Sequence, residues 1–153
     1  MYLLGHASLG FLAARLVNKF TGYRVNVPLV MIVSLLPDID LLIPNLPHRG
    51  PTHSIILLTP LFLPIIALNR GSLVYLASLL SHPLIGDYFT SYGCTIFWPL
   101  SNHHFKAPVY LHIPLSMETS IEFILFIVAA MIIFHDYSRN EAEIPQKSLI
   151  LEV

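Results

Sequence analysis

The chain has 153 residues, 55% of them hydrophobic and only 11% charged, with a net charge of -1 and a single cysteine. A mean hydropathy of +0.70 excludes an ordinary soluble domain, because too few polar side chains exist to cover one of this size. Lysines and arginines stand singly, so no basic stripe for nucleic acid forms, and Cys94 alone supports neither a disulfide framework nor a cysteine zinc cluster.

Taken in chain order, the apolar runs predict an all-α, multi-pass membrane protein with about five transmembrane helices. The first run, Leu3 to Val17, lacks a positive leader and carries His6 near its start, which favours a membrane helix over a cleaved signal peptide. Ser8 lacks the glycine two residues earlier that a nucleophile elbow needs, and reads as packing. Arg15, Lys19, Gly22 and Arg24 mark a connection, and Val27 to Ile43 forms a second span whose far end holds Pro37, Asp38 and Asp40. His48 and Arg49 follow. Pro51, suited to a first helical position, opens a third span that contains His53, is kinked by Pro60 and Pro64, and ends near Leu68. A fourth span, about Leu73 to Phe89, ends with His82 and Asp87. The connection from Thr90 to Pro114 carries Trp98, His103, His104 and His112, and a fifth span, about Leu115 to Phe134, begins with Glu118 and Glu122. Residues 1–135 thus read as one transmembrane domain, and residues 136–153 as a polar, mobile tail.

With five spans, Arg15, Lys19, Arg24, Arg70, Arg139 and Lys147 share one side, against Arg49 and Lys106 on the other. The positive-inside rule puts the C-terminal tail in the cytoplasm. Seven of the eight histidines, with Asp38, Asp40, Asp87 and Glu118, then gather toward the extracytoplasmic face. Ionisable groups at a membrane are costly and mark function. Carboxylates and imidazoles together suit a divalent metal, Zn²⁺ first and Mn²⁺ as an alternative. The predicted metal ligands are His6, Asp38, Asp40, His48, His53, His82 and Asp87, with Arg49 as a phosphate clamp and Asp38, Asp40, Arg49 and Glu118 as the catalytic groups. Asp38 and Asp40 are two apart and can serve one site only if Pro37 lies at a helix end. His82 and Asp87 are five apart, and a π-bulge at Gly86 would absorb the extra residue.

The early His6 with Gly10, LPDID at Leu36 to Asp40, HRGPTHS at His48 to Ser54, and SHPLIGDYFTSYG followed by FWP resemble the YdjM-like membrane-bound metal-dependent hydrolases. His82 and Asp87 depart from that family's commoner H-x-x-x-D spacing. More distantly, the order of histidines and aspartates looks like the zinc-dependent phospholipase C and P1 nuclease group, which implies two or three zinc ions cleaving phosphoesters. The expected activity is metal-assisted hydrolysis of a lipid headgroup or similar amphiphile, which would arrive from the surrounding membrane lipids by lateral diffusion. The competing readings are a metal or proton transporter, and a non-catalytic scaffold with a structural metal.

Overall fold

The computed structural model describes residues 2–90, 92–108, 111 and 114–150, with side chains as far as Arg139. Its α-helices are α1 (Leu3–Thr21), α2 (Val27–Ser34), α3 (Ile55–Leu68), α4 (Leu73–Ser81) and α5 (Leu115–Ile150). No strand is present among the described residues, only a lone antiparallel bridge between Cys94 and Phe105. The all-α class expected from composition therefore holds.

Helix boundaries follow local chemistry. Gly22, in the left-handed region at φ 72°, ends α1 and returns its N–H to the Asn18 carbonyl at 2.7 Å. The Asn26 side chain caps α2 by accepting the Leu29 N–H at 3.1 Å. Just beyond Ser34, Pro37 lacks a donor and the chain tightens into a 3₁₀ segment, Leu36–Leu42. Ser54 caps α3 through the Ile56 N–H. At its C-terminal end α4 widens into a π-helical turn, His82–Asp87, the bulge that the five-residue spacing called for.

These breaks shorten the helices relative to the expected spans. α2 has eight residues and α4 nine, about 12 and 14 Å of helix against a hydrocarbon core of about 30 Å. Among the described residues only Leu115–Arg139, 25 residues of mean hydropathy 2.1, is long and apolar enough to cross a membrane. Just 17% of its most apolar window is buried inside the protein, unlike the core helix of a soluble fold. The segment expected to be a polar tail instead continues α5 as helix to Ile150.

The packing centres on α1, which lies against α2, α4 and α5. Phe11 and Ala14 of α1 meet Val30, Val74 and Ala129 in a buried apolar cluster. Close approach is set by Gly10, where a Cβ would stand 2.3 Å from Ser34 Cβ and 2.7 Å from Ser78 Oγ. Small residues at such crossings let helix backbones pack tightly when lipid offers no hydrophobic drive. α3 joins through Phe62, beside Val33 and Leu79.

The segment after the π turn folds back over the ends of α3 and α4. Thr95 N–H donates to the Arg49 carbonyl at 3.0 Å, Ile55 N–H to the Ile96 carbonyl at 3.0 Å, and Ala107 N–H to the Tyr88 carbonyl at 2.8 Å. Cys94 is fully buried here, and burial pushes its thiol up to about 12. It is a packing residue. A maleimide probe should label Cys94 only after denaturation, read by intact mass; labelling of the folded protein would contradict this placement.

Candidate metal centre

Sequence-distant segments bring the site together. His6 comes from the first turn of α1, Asp38 and Asp40 from the 3₁₀ segment, His48 and Arg49 from the following loop, His53 from the turn Pro51–His53, and His82 and Asp87 from the two ends of the π turn. The side chains of His6, Asp40, His53, His82 and Asp87 are at most 2% exposed.

Two carboxylates form the middle of the cluster. His53 Nε2 lies 3.5 Å from Asp38 Oδ1 and 3.1 Å from Asp87 Oδ2. His82 Nε2 lies 3.3 Å and 3.4 Å from the same two oxygens. His6 Nε2 stands 3.7 Å from Asp87 Oδ1, and its ring stacks on that of His82 at 3.6 Å. Such a stack leaves at most one of the two rings charged, since two imidazolium rings would repel at that separation. Three sets of donors lie within 4.8 Å of one another: His6, Asp38 and His82; Asp38, His48 and His53; and His53, His82 and Asp87.

The remote nitrogens show how the rings are aimed. His82 Nδ1 donates to the Ser34 carbonyl at 2.7 Å, which leaves Nε2 free to present a lone pair to the cluster. Thr52 gives its hydroxyl hydrogen to Asp40 Oδ2 at 2.8 Å, so its oxygen accepts from His53 Nδ1 at 3.1 Å, again leaving Nε2 inward. Buried and without a hydrogen bond among the described residues are His53 Nε2 and His82 Nε2, both beside the central carboxylates. Orphaned donors and acceptors of this kind, grouped around one point, are what a cation satisfies.

Asp40 faces away from that point. Its oxygens accept from His48 Nδ1 at 2.9 Å, from the Arg49 N–H at 3.1 Å and from Thr52. In the tight 3₁₀ geometry Asp38 and Asp40 project to different sides, so one meets the histidines and the other holds the loop. Arg49, with φ 62°, donates from Nη1 to Thr90 Oγ1 at 2.9 Å, sets Nη2 3.2 Å from Asp87 Oδ1, and lies over the Tyr92 ring. Glu118 and Glu122 are buried at the head of α5 outside the three donor sets, and Glu122 accepts the Tyr2 N–H at the start of α1. His103 and His104 are exposed, and His112 lies outside the described residues.

Sequence reading missed the Ser34 carbonyl and the Thr52 hydroxyl. A hydroxyl beside a ligand histidine was a usable signal; a backbone carbonyl leaves none.

The cluster opens into a cavity of about 630 Å³. Its lining is mixed, with the polar His6, Asp38, His48, Arg49 and Asp87 and the apolar Leu36, Ile39, Leu41 and Leu42 among others.

No curated protein and no solved structure matches the chain, and the distant likeness to zinc-dependent phospholipase C and P1 nuclease is unsupported. The model of the YdjM inner membrane protein family matches residues 1–144, nearly the whole length. With a membrane-length apolar helix and a buried His/Asp cluster able to hold a metal ion, this chain belongs to the YdjM inner membrane protein family.

Proposed function

We propose that this protein is a membrane-embedded, metal-dependent hydrolase that cleaves a phosphoester in an amphiphilic or lipid substrate. The observation that carries the reading is the inward convergence of His53 Nε2 and His82 Nε2 on the carboxylates of Asp38 and Asp87. Asp38, Asp40 and Asp87 lie in the cluster with Arg49 as its one guanidinium, so a divalent cation held by neutral imidazoles would balance the charge of the carboxylates. Two nitrogens and two oxygens form a donor set suited to Zn²⁺, with Mn²⁺ as the alternative.

His6, Asp38, His48, His53, His82 and Asp87 would hold the metal, and Asp40 would orient His48 and, through Thr52, His53. An ion held there would supply Lewis acidity to water and to a phosphoryl oxygen. Asp38, at 24% the most exposed of the clustered carboxylates, faces the cavity and takes the proton of the attacking water. Arg49 keeps N–H groups beyond those engaged with Thr90 and Asp87, and turns them to the negative charge that develops on the phosphoryl group. The mixed lining supports an amphiphile, with the charged groups to take its head and the leucines its tail.

In this reading α2, α4 and α5 pack around α1, with α3 against α4, as a multi-pass bundle in which α2 to α4 are shortened by their breaks. The arginine-rich end faces the cytoplasm and the His/Asp cluster the opposite side. Detergent-purified protein should hydrolyse a phosphodiester probe, bis(p-nitrophenyl) phosphate, and a phospholipid. Chelation should abolish this, Zn²⁺ or Mn²⁺ should restore it, and Asp38→Asn should lower it by about 10²–10³-fold. Activity that survives complete chelation, or a metal-replete protein inert toward both substrates, would sink the hydrolase reading.

A further inference from the structure

Two rings of the cluster lie flat against each other. His6 and His82 stack with their centroids 3.6 Å apart and their planes within 7° of parallel. An imidazole binds a metal through a lone pair that lies in the ring plane, over a bond of about 2.0–2.1 Å to Zn²⁺. Planes so nearly parallel do not meet within that reach. An ion shared by both rings would have to stand off each plane by roughly half the stacking distance, which is most of the bond length, and neither lone pair would point at it. Stacked in this way, His6 and His82 cannot share one ion.

His53 is placed differently. Its ring crosses that of His82 at 70°, with centroids 5.0 Å apart. Both Nε2 atoms reach the same two oxygens, Asp38 Oδ1 and Asp87 Oδ2, at 3.1–3.5 Å, and both are buried without a hydrogen bond among the described residues. Those four donors surround one position. The other oxygen of Asp87, Oδ1, lies 3.7 Å from His6 Nε2 and 3.2 Å from Arg49 Nη2. Asp38 likewise offers a donor within 4.8 Å of His6 as well as of His82. The two carboxylates are therefore common to His6 and to the crossed pair.

Exposure divides the rings in the same way. His6, Asp38 and Asp87 line the cavity of about 630 Å³, whereas His53 and His82, both fully buried, are not part of its lining. Building on the metal-dependent reading above, we propose that the cluster holds two divalent cations. A deep ion takes His53, His82, Asp38 and Asp87, and a second ion, on the cavity side, takes His6 and shares the two carboxylates. The stacking distance of 3.6 Å is also about the spacing of two-metal sites, roughly 3.5–4 Å. Four protein donors close the deep position, as in structural zinc sites, and three leave the cavity-side position room for water or a phosphoryl oxygen, as in catalytic ones.

Native mass spectrometry of the full-length protein in detergent, stripped by chelation and titrated with Zn²⁺, counts the ions on each chain. The wild type should fill in two steps, to two ions. His6→Ala should keep the first step within about tenfold and weaken the second by more than about 100-fold, and its retained first ion reports that the variant is folded. Mn²⁺ in place of Zn²⁺ gives a second readout: electron paramagnetic resonance should show an exchange-coupled pair in the wild type and isolated ions in His6→Ala. A wild type that saturates at one ion would overturn the proposal, as would a folded His6→Ala that loses both ions or binds two with unchanged affinity. Hydrolysis enters neither readout, so a one-ion protein that still cleaves phosphoesters removes the second position and leaves the hydrolase reading standing.

Discussion

His53→Ala should strip the cluster of its metal. His53 is fully buried, and its Nε2 is the cluster nitrogen closest to Asp87, at 3.1 Å. Its removal takes away a central donor and also breaks the path from Asp40 through Thr52 that aims the ring. Loss of an orienting partner alone costs about 10–100-fold in metal affinity, and loss of a ligand costs more. Elemental mass spectrometry of detergent-purified proteins should find stoichiometric zinc or manganese in the wild type and less than about a tenth of it in the variant. The cavity left behind should cost about 1–3 kcal/mol of stability. His103→Ala, at an exposed loop position, is the control and should change neither. Wild-type metal content in His53→Ala would remove the basis for the centre.

Gly86→Ala should act at the same place by a different route. A Cβ at Gly86 would fall 2.5 Å from both Nδ1 and Cε1 of His6, inside any contact a real Cβ makes. His6 cannot easily yield, being 1% exposed and stacked on His82. One added methyl group must therefore displace His6, reopen the π turn, or both, at about 1–3 kcal/mol of overpacking strain. Metal affinity should fall by about 10–100-fold even though no ligand atom has been removed. Competition against a fluorescent zinc chelator measures it. An alanine variant with wild-type affinity and an unchanged Tm would show that His6 is not pressed against this glycine.

The residues that form the cluster were readable because charge is scarce in this chain. In a run such as LLPDIDLLIPNLPHRGPTHS each aspartate or histidine stands out against its apolar background, and topology collects them at one end. The π turn was readable too, since His82 and Asp87 can share a face only if the helix widens at Gly86. Helix lengths were not. Continuous apolarity through Val27 to Ile43 looks like one span, yet Pro37 withholds a donor and α2 stops at Ser34, because hydropathy reports solvent preference and not hydrogen-bond register. The different duties of Asp38 and Asp40 were hidden for a related reason: a 3₁₀ segment has no periodic signature, so the side each one faces emerges only from the backbone. The Ser34 carbonyl that aims His82 is invisible in any sequence, being common to every residue type.

The order in which the chain is made sets when the centre can exist. His6 leaves the ribosome early and Asp87 much later, and the strand-like segment whose Thr95 holds Arg49 follows later still. A nascent chain that stops short of His82 carries His6, Asp38 and His53 without the ring that stacks on His6 and without the second central carboxylate, Asp87. In the proposed function, ion capture would therefore follow synthesis of the first 87 residues at the earliest, with the membrane-length helix Leu115–Arg139 still to come.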